Sequence, residues 1–211
     1  MTPSHHPEPD LLIDFAAGRL AAGQRLVISA HLGVCAACRP DVRMVEAVGG
    51  VLLDALAPVA MTPDATALAL ARIERPFAKV QVFPARADWI AAPQAALYAV
   101  RHRRRWAAPG VWVAPISRGP QHLRTYLLGI GAGISVPRHT HRGAEMMCVL
   151  KGAFHDGADV YGPGDFAYGD TAIEHKPMIP PDRDCVCLVA VEGALIPRDW
   201  VGRLFQPLVG I

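Results

Sequence analysis

Four residues near the middle of the chain limit the possible folds most strongly. His139, His141 and Glu145 lie within seven residues of one another, and His175 follows thirty residues after Glu145. Residues two apart on a β-strand point to the same side, so His139 and His141 can face one interior. Glu145 can return a carboxylate to that point, and His175 can reach it from a second hairpin. Three imidazoles and one carboxylate are a complete ligand set for a divalent transition metal, so the pattern predicts a metal site within β-structure.

Glycines surround these residues at fixed spacings. The spaced pattern is Gly133-x5-His139-x-His141-x3-Glu145-x6-Gly152, followed by Gly157-x5-Pro163-Gly164-Asp165. It resembles the two signature motifs of the cupin superfamily, whose members are small antiparallel β-barrels with a central metal. The second motif departs from the family, because Pro163-Gly164-Asp165 replaces a spaced Pro-x-Gly and no Asn follows His175 at the usual distance. The resemblance implies a C-terminal cupin β-barrel (jelly roll). The departure in the second motif affects the expected geometry of its loop more than the expected metal ligands.

The length of the chain predicts a second domain. A cupin takes about 110 residues, so about 100 of the 211 residues remain for another unit. Apolar residues make up 52% and charged residues 19% of the chain, with a net charge of +2, which allows a sizeable core and does not indicate disorder. We expect a multi-domain α plus all-β chain with a zinc-binding helical domain over 1–76, a linker over 77–96 and a cupin domain over 97–211.

Three features of the sequence indicate where in the cell the protein is expected. Met1 to Asp10 carries two histidines, three prolines and no apolar stretch, unlike a secretory signal. The longest apolar run, Val45 to Met61, is interrupted by charged residues and a proline, so no membrane helix is expected. Five cysteines, two of them in a Cys-x2-Cys pair near a histidine, suggest a reducing cytoplasm and metal binding rather than disulfides.

Apolar residues at helical spacing predict four helices in the N-terminal part. Gly49 and Gly50 lie inside the third helix, where each costs about 1 kcal/mol relative to Ala, so we expect them to permit close approach of another helix. The first three helices can form a small zinc-clipped bundle, whereas the fourth need not pack on it. The predicted helices run from Pro9 or Asp10 to Ala17, from Ala22 to Val34, from Asp41 to Ala57, and from a Thr62-Pro63-Asp64 cap to about Arg75-Pro76.

A second ligand pattern, His31-x3-Cys35-x2-Cys38, ends the second predicted helix. Positions four apart on a helix project from one face, so His31 and Cys35 can meet the same ion, and Cys38 lies one turn further on. Two thiolates and an imidazole are three of the four ligands of a structural zinc. The fourth is expected from His5 or His6. Alternatively, the two cysteines are small core residues.

The N-terminal part combines the ligand pattern with several flanking residues. In chain order these are His6, Leu11-Leu12, Phe15-Ala16-Ala17-Gly18, His31-Leu32-x2-Cys35-x2-Cys38-Arg39 and Glu46-x2-Gly49-Gly50. This pattern resembles the ChrR-type zinc anti-sigma factors, which join a zinc-binding anti-sigma domain to a C-terminal cupin. The resemblance implies that the zinc ligands are His6, His31, Cys35 and Cys38, and that the helical domain binds an extracytoplasmic-function sigma factor. It also implies an oxidative signal, such as singlet oxygen, for release of the sigma factor.

Two further patterns allow alternatives. The basic run Arg101 to Arg105, interrupted by His102 and followed by Trp106, is a pattern seen at nucleic-acid contacts, but it more often marks a solvated edge, so no direct DNA binding is expected. Cys185 and Cys187 share one face of a predicted strand. They are oxidisable thiols if they lie near the metal, and ordinary core cysteines if they are buried among apolar neighbours.

Two classes of function remain open. In the first, the chain is an anti-sigma factor and not an enzyme, with Zn²⁺ in the helical domain and Zn²⁺, or Fe or Mn, in the cupin. In the second, the cupin is a metal-dependent dioxygenase or isomerase, since octahedral iron or manganese leaves positions for substrate. The helical zinc domain favours the first class, because it has a clear purpose in binding a protein and none in catalysis.

Overall fold

The computed structural model describes residues 2–74, 93–119, 123–193 and 195–197. Residues 2–74 contain four helices, and we call them the helical half. The described residues from 93 onward contain one helix and ten strands, and we call them the sheet half. The two halves contact each other, and this contact positions one of the candidate sites.

The helical half follows the predicted periodicity closely. Its helices are α1 (Pro9–Ala16), α2 (Ala22–Val34), α3 (Arg39–Asp54) and α4 (Ala65–Ile73). The bounds of α2 are as predicted, and α1 ends one residue earlier. Helix α3 begins two residues before the predicted start, because Pro40 fits its first turn, where no N–H is needed. Helix α4 starts after Asp64, so Thr62-Pro63-Asp64 precedes the helix instead of opening it.

The sheet half consists of short antiparallel strands. Six of them form one sheet in the order β1-β2-β3-β9-β5-β8, while β4 pairs with β10 and β6 pairs with β7. The elements are α5 (Gln94–Arg103), β1 (Arg105–Ala108), β2 (Val111–Arg118), β3 (Arg124–Ile130), β4 (His139–His141), β5 (Glu145–Lys151), β6 (Phe154–Asp156), β7 (Asp159–Tyr161), β8 (Phe166–Gly169), β9 (Cys185–Val191) and β10 (Leu195–Pro197).

Both faces of the six-stranded sheet are buried along its central strands β3, β9 and β5. On the inner face, Met147 and Val189 lie opposite each other on β5 and β9 and belong to one apolar cluster. On the outer face, Cys148 and Leu188 belong to a second cluster that includes residues of α2 and α5. Helix α2 contributes Val27, which is completely buried, to this outer cluster. The alternation of side chains along each strand thus separates the interior from the helix-covered surface.

The structure differs from the predicted jelly-roll barrel. Within the described ranges the strands form one six-stranded and two two-stranded sheets, and no ring of strands closes. Strands β4, β6, β7 and β10 have three residues each, which is too few to join the long strands in a continuous ladder.

The predicted zinc-clipped bundle also differs in its packing. Helix α1 packs on α3, but α2 lies against strands of the sheet half. Leu12, Val27 and Val42 of the helical half share a single apolar cluster with Leu127 and Leu188 of the sheet half. The first three helices therefore complete their core with the outer face of the sheet.

The predicted linker and the glycines of α3 differ from expectation in part. The sequence pattern does not predict α5, which begins at Gln94 and overlaps the end of the predicted 77–96 linker. The rest of that linker, with Trp89 and Ile90, lies outside the described residues. The close approach of another helix expected at Gly49 and Gly50 is not found among the described residues, where a Cβ at either position would meet nothing within 4 Å.

The basic run joins the end of α5 to β1. The guanidinium carbon of Arg104 lies 4.5 Å from the ring centroid of Trp112 and 5.0 Å from that of Trp106. This cation is thus in contact with two aromatic rings of its own chain. A search of the described helices for a span able to cross a bilayer finds none.

Candidate metal centres

The first candidate centre lies in the sheet half. Strand β4 supplies His139 and His141, β5 begins with Glu145, and His175 comes from the segment between β8 and β9. One ligand atom from each of the four residues lies within 4.8 Å of the others, and all four residues are buried. The residues that the spacing predicts are therefore brought together.

Backbone pairing sets the position of two of these residues. The N–H of His139 donates to the carbonyl of His175, and the N–H of His175 donates to the carbonyl of His139, both at 3.1 Å. The two residues thus lie directly opposite each other in an antiparallel bridge. His175 reaches the centre from an isolated bridge, whereas the sequence pattern predicts a second hairpin.

The ligand atoms converge at spacings that suit a single cation. Nε2 of His141 lies 3.1 Å from Nε2 of His175 and 3.3 Å from Oε2 of Glu145. Ligands about 2.0–2.1 Å from a metal are separated by about 3.0–3.4 Å, depending on the coordination geometry. Two imidazole nitrogens at 3.1 Å fit this separation.

The outer nitrogens of two imidazoles have hydrogen-bond partners. Nδ1 of His139 donates to the carbonyl of Pro137 at 2.8 Å, and Nδ1 of His175 donates to Asp156 at 3.0 Å. Such bonds fix the tautomer with a lone pair on Nε2, which is the form that binds a metal. Nδ1 of His141 is buried and has no hydrogen-bond partner among the described residues.

Burial disfavours the charged forms of three residues in this centre. It lowers the pKa of His139 and of His141 to about 4, so both imidazoles are neutral near pH 7. It raises the pKa of Glu145 to about 8, because a carboxylate is isolated from water there. A divalent cation would compensate the carboxylate charge and use the neutral imidazoles, so the donor set fits a metal.

The second candidate centre lies in the helical half, where His6, His31, Cys35 and Cys38 converge. Nδ1 of His6 lies 3.4 Å from the Sγ atoms of Cys35 and Cys38, and Nε2 of His31 lies 3.4 Å from Sγ of Cys38. Nitrogen and sulfur ligands of a tetrahedral zinc lie about 3.5 Å apart, given bonds of about 2.0–2.3 Å. The donor set therefore fits zinc, and the structure places His6, not His5, beside the thiols.

Burial shifts the pKa values of two candidate ligands in the helical centre. Burial lowers the pKa of His31, and burial followed by the hydrogen bond and charge of Cys35 raises the pKa of Cys38 to about 12. A neutral imidazole is ready to bind a metal, whereas the thiol of Cys38 must lose its proton on binding. Metal loading at this centre should therefore release protons.

One contact to the helical centre was not predictable from the motif. Nδ1 of His31 lies 2.7 Å from the carbonyl oxygen of Gly164, which belongs to the sheet half, and donates to it. The departure at Pro163-Gly164-Asp165 from the cupin spacing marks this loop as unusual but does not indicate its partner. The roles of Asp156 and Asp165 were not predictable either, because each depends on contacts between residues far apart in sequence.

Cys185 and Cys187 lie on the inner face of β9. Their Sγ atoms are 3.6 Å apart and both residues are buried in the inner apolar cluster. The hydrogen bond to Cys185 and then burial raise the pKa of Cys187 well above its usual range, which keeps its thiol protonated and weakly nucleophilic. This environment favours the interpretation as core cysteines.

Together, the helical half and the antiparallel sheet with its buried ligand set define a cupin-like protein with two candidate metal centres. Residues 82–194 match the ChrR cupin-like domain family. The anti-sigma-E factor ChrR of Cereibacter sphaeroides is 37% identical over an alignment that covers 100% of both chains. The chain therefore belongs to the ChrR family. A chain in the crystal structure of Rhodobacter sphaeroides SigE in complex with the anti-sigma ChrR has a TM-score of 0.76 and 36% identity, covering 90% of this chain and 100% of that chain.

Proposed function

We propose that this chain is an anti-sigma factor whose helical half binds an extracytoplasmic-function sigma factor in the cytoplasm. The observation that carries the proposal is a set of exposed apolar side chains on α3, on α4 and in the segment between them, in a chain similar over its full length to an anti-sigma factor. We call this surface the α3–α4 face. Its large side chains are mostly exposed: Met44, Val48, Val51, Leu52, Leu53, Leu56, Leu68, Leu70 and Ile73.

The α3–α4 face is more apolar than a solvated surface requires. Val51 is 70% exposed and Leu53 is 68% exposed, and no residue of α4 is buried. Helix α3 buries only Val42, near its start, where it adjoins the helical metal centre. A large exposed apolar surface of this kind marks a protein-binding site. Open space at Gly49 and Gly50 leaves room for a partner helix to approach the backbone of α3.

In this proposal the helical centre holds a structural zinc. Its ligands are His6 from the N-terminal segment, His31 from α2, and Cys35 and Cys38 from the connection to α3. These residues tie the start of α3 to α2 and to the N-terminus. A zinc bound there stabilises the base from which the α3–α4 face projects, since the binding free energy of structural zinc is also folding free energy.

The sheet centre is proposed as the sensor, with His139, His141, Glu145 and His175 holding zinc, or iron or manganese. The resemblance of the chain to its family implies an oxidative signal such as singlet oxygen. Regulation requires two arrangements of the protein that differ in affinity for the sigma factor. A hundredfold change in that affinity needs only about 2.7 kcal/mol. The proposed division is a helical anti-sigma domain over 1–76, a linker over 77–96 and a sensor domain over 97–211.

The alternative, a metal-dependent cupin enzyme, has less support. The full-length relative is an anti-sigma factor, which is a regulatory protein and not an enzyme. The chain is accordingly assigned no catalytic residues. Its expected partner is a protein, without direct contact to DNA or membrane.

Copurification tests this proposal. The full-length chain is co-expressed with the extracytoplasmic-function sigma factors of its own genome, and sigma-dependent transcription is measured. We expect one sigma factor to copurify and to be inhibited. Substitution Leu53→Asp, which places a charge on the α3–α4 face, should weaken binding at least about tenfold, because burying a leucine contributes about 1.5–3 kcal/mol. The control Val160→Asp alters an exposed apolar residue of β7 and should bind normally. Binding that survives Leu53→Asp unchanged would place the partner elsewhere.

A further inference from the structure

The N-terminal segment that carries His6 is fixed by the sheet half. The N–H of Phe166, the first residue of β8, donates to the carbonyl of His5 at 3.0 Å. The ring of His5 stacks on Tyr161 of β7, with centroids 4.1 Å apart. The residue directly before the ligand His6 is therefore bound to the sheet half through both its backbone and its side chain.

Asp165 makes the densest set of contacts to this segment. Its Oδ1 accepts from the N–H of Ser4 at 2.6 Å and from the N–H of His5 at 3.0 Å, and its Oδ2 accepts from the N–H of Gly162 at 2.7 Å. The hydroxyl of Ser4 lies 3.4 Å from either oxygen, and Nδ1 of His5 lies 3.5 Å from Oδ2. Asp165 is only 5% exposed.

These bonds match a charged carboxylate. Burial alone would raise the pKa of Asp165, but the backbone N–H groups of Gly162, His5 and Ser4 together hold it below its usual value. Hydrogen bonds from N–H groups to a carboxylate are stronger than those to a neutral acceptor. Asp165 thus fixes two consecutive backbone amides immediately before His6.

The neighbouring residue holds the second imidazole of the helical centre. Gly164 accepts from Nδ1 of His31 through its carbonyl oxygen, and its own N–H donates to the carbonyl of Val149 on β5 at 2.8 Å. The loop of residues 162–165, which we call the β7–β8 loop, therefore contacts His31 directly and binds the segment next to His6. None of the four ligands of that centre belongs to this loop.

We propose that Asp165 is a positioning residue for the helical metal centre: by fixing Ser4 and His5 it places His6 against Cys35 and Cys38, so the sheet half helps set the metal affinity of the helical half. The proposal rests on metal binding at the helical centre, which is part of the proposed function. It does not depend on the identity of the partner. Partners that orient a metal ligand affect metal affinity about 10–100-fold when they are removed.

The same contacts give a route between the two centres. Strands β6 and β7 form one hairpin, in which Phe154 lies opposite Tyr161. At one point this hairpin holds the sheet ligand His175 through Asp156, and at another it stacks on His5 through Tyr161. The hairpin therefore contacts both a candidate ligand of the sheet centre and the residue before His6.

The test uses the full-length protein with cobalt in place of zinc. Only the helical centre contains cysteines among its candidate ligands in the described residues, so thiolate-to-cobalt absorption in the near ultraviolet reports on that centre alone. Cobalt affinity is measured by chelator competition for Asp165→Asn and Asp165→Ala. The matched control is Asp184→Asn, because the side chain of Asp184 is 61% exposed and its ion pair, 3.9 Å to Nζ of Lys151, includes no residue of the helical centre.

We expect the Asp165 variants to weaken cobalt binding at the thiolate centre about tenfold or more, with Asp165→Ala the more severe. The amount of metal bound in the sheet centre and the circular dichroism signal of the strands should be the same in these variants as in the unsubstituted chain. The control should bind cobalt as the unsubstituted chain does. Unchanged cobalt affinity in folded Asp165 variants would overturn the proposal.

Two results separate this inference from the proposed function. If the unsubstituted chain gives no thiolate-to-cobalt absorption, the helical metal centre itself is wrong and the inference falls with it. If the Asp165 variants do not fold, Tyr161→Leu removes the ring that stacks on His5 and leaves Asp165 in place. That variant should also weaken cobalt binding at the thiolate centre, and unchanged affinity there would again overturn the positioning role of the sheet half.

Discussion

The carbonyl oxygen of Gly164 accepts a hydrogen bond from Nδ1 of His31 at 2.7 Å, although 133 residues separate the two. Gly164 belongs to the β7–β8 loop of the sheet half, and His31 belongs to α2. The bond fixes the His31 tautomer that leaves Nε2 facing Cys38. One candidate metal centre is therefore completed by a backbone group from the other half of the molecule.

A substitution at Gly164 should disturb both the contact between the halves and the helical centre. Gly164 has φ +93°, and a Cβ there would lie 2.8 Å from Cγ2 of Val34 and 2.9 Å from Cγ of Pro3. We expect Gly164→Ala to lower the melting temperature and to accelerate metal loss to a chelator. Gly157→Ala is the matched control, since Gly157 has φ +61° but nothing within 4 Å. The control should lose only the about 1–2 kcal/mol of folding stability that a Cβ costs at a positive φ. Equal melting temperatures for the two variants would mean that Val34 and Pro3 adjust freely.

Local sequence pattern predicted the helices well because their periodicity depends on short spacings, and it grouped those candidate ligands that lie close together in sequence. The bounds of α2 follow from its apolar periodicity, and the grouping of His31, Cys35 and Cys38 follows from one helical turn and the residues after it. The packing of α2 on the sheet was not predictable. Val27 and Ile28 are equally compatible with a separate helical bundle, and only the tertiary structure shows that they pack on the outer face.

Helix α5 shows a second limit of the sequence pattern. It lies over Gln94–Arg103, where a basic run and nearby prolines favour a linker and a solvated edge. Its buried residues Ala96 and Ala99 are small, so its apolar face is weak in the sequence. The sheet covers that face in the folded chain, which supplies the stabilisation that local propensity lacks.

Removing both thiols should eliminate the helical centre. In Cys35→Ser plus Cys38→Ser, the two sulfur ligands of the proposed zinc are lost, and structural zinc contributes about 10–16 kcal/mol of apparent binding free energy in finger peptides. We expect loss of one zinc per chain, loss of helical circular dichroism and loss of sigma binding together. Cys148→Ala, which changes a buried cysteine outside both ligand groups, should keep its zinc. Full sigma binding by the double variant would show that zinc is not needed for the α3–α4 face.

The sheet centre should be needed for release and not for binding. Glu145→Ala and His141→Ala each remove a buried ligand without altering the α3–α4 face. We expect both variants to bind the sigma factor normally, to lose the metal of the sheet centre, and to keep the sigma factor bound after exposure to singlet oxygen. Glu174→Ala alters a partly exposed glutamate next to His175 in sequence and should respond as the unsubstituted chain does. A transcription assay measures sigma release and so tests whether the sheet centre is the sensor. A normal response of Glu145→Ala to singlet oxygen would exclude this centre as the sensor.

The carboxylate that holds His175 should tune the affinity of the sheet centre. Asp156 accepts from Nδ1 of His175 at 3.0 Å and lies opposite Asp159 in the β6–β7 hairpin. In Asp156→Asn the charge on this acceptor is lost, so the imidazole becomes a poorer ligand and is oriented less firmly. We expect metal affinity at the sheet centre to fall about 10–100-fold, measured by chelator competition. Asp159→Asn removes the same charge from the facing strand without removing a ligand contact, so its affinity should stay near that of the unsubstituted chain. If both variants lose affinity equally, the negative charge of the hairpin matters and the hydrogen bond to His175 does not.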